Sequence, residues 1–143
     1  MSLPDYDSPS VLKAILDSRS MAMQKKFGQN FLINSNARTK LAESLDLEPG
    51  MKVWEVGPGL GALTTEILKR DAKLTAFEID RGFVSFLQDE IQPLFKDTFE
   101  IVSGDVLKTW KDYYAKNGKP DRFLHLQPLT IQFLPELHLL QLP

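Results

Sequence analysis

From residue 52 onward the chain alternates between two hydrophobic periods. Residues 52–56 (KVWEV), 73–79 (KLTAFEI) and 98–102 (TFEIV) are short, dense apolar runs with branched and aromatic side chains, the pattern of strands buried in a sheet. Between them, residues 61–70 carry Leu63, Ile67 and Leu68 at helical spacing, and residues 81–91 predict a second helix that stops near Pro93. Residues 108–116 read as weakly helical, Asn117-Gly118-Lys119-Pro120 as a turn, and Asp121–Leu124 as the opening of a fourth strand. Strands separated by helices predict right-handed βαβ units and a mostly parallel sheet.

The chain ahead of this block is helical in a different way. Ser8-Pro9-Ser10 offers a hydroxyl cap with proline in the first turn, and Val11, Leu12, Ile15 and Leu16 extend it as a short amphipathic helix over 10–18. MQKKFGQNFLIN reads as an ordered loop, residues 35–46 return to helical period, and Glu48-Pro49-Gly50 breaks the chain. The expected organisation is an N-terminal extension over 1–22, a sheet domain over 23–124 and a separate tail over 125–143.

Composition narrows the chemistry. The chain has 143 residues, 43% of them apolar and 25% charged, which suits one soluble globular domain. It has no cysteine, so disulfide scaffolds and thiolate metal sites are excluded. Its two histidines, His125 and His138, both lie in the unusual tail, which sets metal chemistry aside. A net charge of −2 gives no global attraction for nucleic acid. The polar, acidic start MSLPDYDSPS has no signal-peptide core, and the expected location is cytoplasmic.

The strongest chemical signal is VWEVGPGLGALT, residues 53–64. Gly57, Gly59 and Gly61 follow a strand and open a helix, as at the nucleotide-binding corner of a doubly wound sheet. Gly57-x-Gly59-x-x-Ala62 also satisfies the dinucleotide fingerprint, and Glu78 follows at the end of the next strand like a ribose-binding acid. On spacing, a nicotinamide-dependent oxidoreductase half-domain stays open. Glu55 shifts the balance, because a carboxylate two residues before the first glycine opposes a pyrophosphate but suits a ligand bearing an ammonium and a sulfonium. Asp105, after the third strand, could accept from an adenine amino group. Trp110, Tyr113 and Tyr114 could form a base-stacking platform, although aromatics at helical spacing more often belong to a core.

Together KKFGQNFL (25–32), VWEVGPGLGALT, AFEID (76–80) and SGDVL (103–107) resemble the ribosomal RNA adenine N6,N6-dimethyltransferases, over residues 20 to 124. FGQNFL is the specific element. The resemblance implies an α/β, Rossmann-like class I S-adenosylmethionine-dependent methyltransferase, truncated after the third or fourth strand. It implies S-adenosylmethionine as cofactor, contacted by Asn30 and Leu32, with Gly57 and Gly59 in the glycine loop, Glu78 on the ribose and Asp105 at the adenine. Lys25 and Lys26 are the implied RNA-phosphate contacts. The implied partner is small-subunit rRNA or a pre-ribosomal particle, met by a monomer without metal or membrane. A macrolide-resistance methylase of large-subunit rRNA shares the Gln-Asn-Phe and glycine elements, and a non-enzymatic RNA-binding fragment is the remaining alternative.

The family continues after its fourth strand with Asn-Leu-Pro-Tyr or a close variant, which grips and stacks on the flipped adenine. Here the chain reads His125-Leu126-Gln127-Pro128-Leu129-Thr130, so no catalytic residue is assigned. Residues 123–143 hold eight leucines, three prolines and a single charged side chain, Glu136. Prolines, histidines and glutamines make them unfit as a membrane span. Gln127–Gln132 can be encoded so that the next frame gives Asn-Leu-Leu-Pro-Tyr-Asn, and the tail is accordingly expected to be an out-of-frame translation.

Overall fold

A computed structural model of the chain describes residues 2–21 and 34–125. Its elements run α1 (Pro9–Ser18), α2 (Ser35–Ser44), β1 (Lys52–Val56), α3 (Ala62–Leu68), β2 (Lys73–Glu78), α4 (Arg81–Phe86), β3 (Phe99–Ser103), α5 (Val106–Asn117) and β4 (Arg122–His125). The four strands form one sheet in the order β3-β2-β1-β4, and every pairing is parallel. This is the expected α/β architecture. The chain builds outward from β1 through β2 to β3, then crosses to the other side of β1 to lay down β4. That reversal puts the topological switch point between β1 and β4, where sheets of this kind bind ligands beyond the strands' carboxyl ends.

Register sorts the side chains onto two faces. Val53, Leu74 and Phe99 are level, as are Glu55, Ala76, Ile101 and Leu124 one row higher. This face meets α3 and α4 in the main core, where Leu63, Ile67, Leu68, Phe86, Leu87 and Ile91 are buried. The opposite face carries Trp54, Phe77 and Phe123 and is covered by Val106 and Trp110 of α5. Trp110 is buried and Tyr113 packs edge-on against Trp54 and Phe77, so these two aromatics are core, while Tyr114 is exposed.

Several boundaries depart from the sequence pattern for local reasons. The expected single helix over 81–91 is α-helical only to Phe86, then widens into a π turn (Leu87–Ile91) and tightens into a 3-10 turn (Gln92–Leu94). Pro93, which lacks a donor N–H, sits in that last turn. α5 begins two residues earlier than its weak periodicity suggests, because Asp105 caps it by accepting from the Leu107 N–H. Asn34, expected within a loop, caps α2 by accepting from the Asn36 and Ala37 N–H groups. β4 includes His125, level with Val56, so the strand runs one residue into the stretch assigned to the tail.

The described part of the N-terminal extension packs onto the domain. Leu16 is buried, and Leu3, Ile15 and Met21 pack against the main core. Arg19 reaches Asp89 and Glu90 at 3.1 Å each and lies over the Phe86 ring.

Candidate cofactor site

The site is the turn from β1 into α3. Gly57, Gly59 and Gly61 have φ of +76°, +59° and +88°, a left-handed region in which a side chain is strained. Their order along the turn lets the chain reverse within five residues. Gly57 donates to the Phe77 carbonyl at 2.9 Å and Gly61 to the Pro58 carbonyl at 3.0 Å. A Cβ built on Gly57 meets nothing within 4 Å, so the turn borders open space there, whereas one on Gly61 would come within 3.1 Å of Leu87 and 3.3 Å of the Tyr6 hydroxyl. The first glycine faces open space; the third is required by packing as well as by its backbone conformation.

Two carboxylates lie beneath this turn. Glu78, 2% exposed, accepts from the Gly59 N–H at 3.2 Å through one oxygen and from the Asp80 N–H at 3.0 Å through the other. Burial raises its pKa, and the backbone donors only partly oppose that. Glu78 therefore braces the glycine turn itself, a role its spacing does not reveal.

Glu55 is more deeply committed to the interior. Period two places it on the Val53 face, where it is 4% exposed and accepts from the Thr64 hydroxyl of α3 at 2.6 Å. Burial pushes its pKa up to about 7, with the nearby Glu78 charge adding to the rise and the Thr64 bond opposing it. Asp105 stands at the end of β3 on the same sheet edge. One of its oxygens caps α5 at 2.9 Å from the Leu107 N–H. Gly104, just before it, donates to the Glu78 carbonyl at 2.9 Å and ties the two strand ends together.

Glu55, Gly57, Gly59, Glu78 and Asp105 are thus gathered at the carboxyl edge of β1, β2 and β3. Asn30, Leu32, Lys25 and Lys26 lie outside the described residues. Tyr6 is the residue sequence reasoning missed: its hydroxyl donates to the Leu60 carbonyl, inside the glycine turn, at 2.7 Å. The donor set suits a cationic ligand. An anionic pyrophosphate would meet two buried carboxylates, while a ligand with an ammonium and ribose hydroxyls would find acceptors for both. Among the described residues no group of three or more histidines and acids could hold a metal ion. No helix among them is long and apolar enough to cross a membrane.

The ribosomal RNA adenine dimethylase family model matches residues 21–132. The chain belongs to this family. Its relatives include the ribosomal RNA small subunit methyltransferase A of Treponema denticola, 48% identical over 131 residues, which cover 92% of this chain and 45% of the relative. The protein of the same name from Borreliella burgdorferi is 43% identical over 127 residues, covering 89% of this chain and 43% of the relative. The chain thus spans less than half the length of these dimethylase relatives. Among solved structures, precorrin-6y C5,15-methyltransferase from Geobacter metallireducens shares the fold, with a TM-score of 0.56 at 18% identity over 75% of this chain and 54% of that one. A candidate RNA methyltransferase from Pyrococcus horikoshii does so with a TM-score of 0.58 at 24% identity, over 84% and 59%.

The dimethylase family is S-adenosylmethionine-dependent, which removes the footing of the dinucleotide alternative, since the glycine spacing had been its main support. The family match also runs to residue 132, beyond the expected domain boundary at 124.

Proposed function

We propose that this chain is the cofactor-binding portion of a small-subunit rRNA adenine N6,N6-dimethyltransferase and that it takes S-adenosylmethionine at the glycine turn. The observation that carries the reading is the stack of Glu55 and Glu78 beneath three left-handed glycines, in a chain of the adenine dimethylase family. Gly57 and Gly59 allow close approach of the ligand, Glu78 accepts from the ribose, Asp105 accepts from the adenine amino group, and Glu55 balances the ammonium. The cofactor, when bound, supplies an electrophilic methyl on sulfur. The protein's part is to hold it in a fixed orientation, which is a large share of the rate advantage when two reactants must align. Asn30 and Leu32 complete the cofactor contacts, and Lys25 and Lys26 meet rRNA phosphates. The partner is small-subunit rRNA or a pre-ribosomal particle.

Isothermal titration of the 143-residue chain with S-adenosylhomocysteine and, separately, with NAD tests this. Saturable binding of S-adenosylhomocysteine without binding of NAD is expected. The reverse preference would refute the reading.

A further inference from the structure

We propose that Tyr6, from the segment ahead of α1 and outside the part of the chain matched by the family model, is a positioning residue of the cofactor site, clamping the glycine turn through the Leu60 carbonyl. The inference rests on the cofactor reading above for its functional consequence, and on contact geometry for the clamp.

Leu60 lies between Gly59 and Gly61, the two glycines that carry the chain from the turn into α3. The turn's other backbone bonds join its own residues or the adjoining β2 and α3: Gly57 donates to Phe77, Gly59 to the Glu78 side chain and Gly61 to Pro58, while the Gly61 carbonyl accepts from Thr65. The Leu60 carbonyl is instead taken by a side chain 54 residues away in sequence, at 2.7 Å. Tyr6 is 6% exposed, and its hydroxyl would sit 3.3 Å from a Cβ on Gly61, which Leu87 would approach to 3.1 Å. The turn is therefore packed against both Tyr6 and the π turn that follows α4.

Tyr6 is itself held. Its neighbour Asp7 pairs at 2.7 Å with Arg38, whose side chain is almost wholly buried and whose guanidinium stands 6.0 Å above the Tyr6 ring. Ser8 then caps α1, and Arg19 beyond it fastens to Asp89 and Glu90. The segment is thus anchored on both sides of α1. Burial and the nearby Glu55 charge raise the phenol's pKa above its ordinary value, so it remains a protonated donor across the physiological range. A glycine-rich turn has unusual conformational freedom, so a ligand that needs one conformation loses affinity when a restraint is removed.

The test is Tyr6→Phe, which keeps the ring and deletes the hydroxyl, in the 143-residue chain, with Trp110→Phe as a comparison that perturbs the opposite face of the sheet. S-adenosylhomocysteine affinity is measured by equilibrium dialysis well below every melting temperature, and amide hydrogen exchange is followed at Gly59 and Gly61. Tyr6→Phe should weaken binding about fivefold, the effect of one hydrogen bond, and speed exchange at both glycines, while Trp110→Phe changes neither. Unaltered affinity in Tyr6→Phe, or equal losses in both variants, would overturn the proposal. If the unmodified chain binds no S-adenosylhomocysteine, the cofactor reading fails instead. Glycine exchange in Tyr6→Phe then decides the clamp alone, and an unchanged rate sinks it.

Discussion

Replacing Glu55 with glutamine should make this protein more stable and a poorer binder of its cofactor, and the size of both effects depends on pH. In the unfolded chain the carboxyl ionises near 4.5; in the folded chain burial moves that to about 7. Between those values the folded state holds a proton that the unfolded state has released. Stability from this group is therefore complete below about pH 4.5 and is lost as pH rises to about 7. The window spans roughly two and a half pH units at about 1.4 kcal/mol each, so the ionised side chain costs on the order of 3 kcal/mol at pH 8. Against a total stability of about 5–15 kcal/mol, that is a large fraction.

Glutamine keeps an acceptor for the Thr64 hydroxyl and cannot ionise. Urea melts of both proteins from pH 4.5 to 8 should coincide at the acid end and diverge above it. At pH 8 the Glu55→Gln midpoint should lie roughly 1–2 M higher. A parallel pair of curves, or a variant less stable than the parent at pH 8, would refute the account of Glu55 as a buried acid whose burial outweighs its Thr64 bond. The same linkage reverses for binding. If the ionised carboxylate meets the ligand's ammonium, S-adenosylhomocysteine affinity in the parent rises with pH up to about 7, and Glu55→Gln lowers it by about tenfold or more while flattening the profile.

Other expectations follow from the same geometry. Gly61→Ala forces a Cβ at φ +88° to within 3.1 Å of Leu87, and a loss of about 1–3 kcal/mol should appear in denaturant melts. Asp105→Ala removes the α5 cap and should cost about 1 kcal/mol, whereas Asp105→Asn keeps a capping side chain and should melt close to the parent while binding S-adenosylhomocysteine several-fold more weakly. The purified 143-residue chain, which has no Asn-Leu-Pro-Tyr after β4, should leave small-subunit particles unmethylated in a mass-spectrometric assay of N6,N6-dimethyladenosine.

What the sequence exposes here is what repeats locally. The strands of KVWEV and KLTAFEI announce themselves because both faces are covered, and the GPGLG turn because backbone sterics restrict it to glycine. The caps at Asp80 and Asp105 went unread, because an acid at a strand end reads equally well as a ligand contact, the role given to Asp105. The widening after Phe86 left no trace, because a π turn changes hydrogen bonding without changing which residues are apolar. Glu55 was half legible. Its period put it on the Val53 face, but its burial depends on α3 delivering Thr64 above it. Tyr6 was not legible at all, because its partner is a backbone carbonyl far along the chain, and carbonyls have no sequence signature.

Side chains from outside the turn also explain why it can be both ordered and open. Three left-handed glycines in five positions would by themselves make a poorly defined loop. Glu78 fixes it from below through Gly59, Tyr6 from the side through Leu60, and Leu87 packs where a Gly61 side chain would be. None of these restraints occupies the space beside Gly57, where a side chain would meet nothing. Burial, and after it the nearby Glu78 charge, raise the cost of ionising Glu55 in the absence of a counter-charge, and a cationic ligand would relieve that cost on arrival. Ligand affinity is then drawn partly from strain already present in the fold, which is why the substitution that best stabilises the empty protein is expected to be the one that most damages binding.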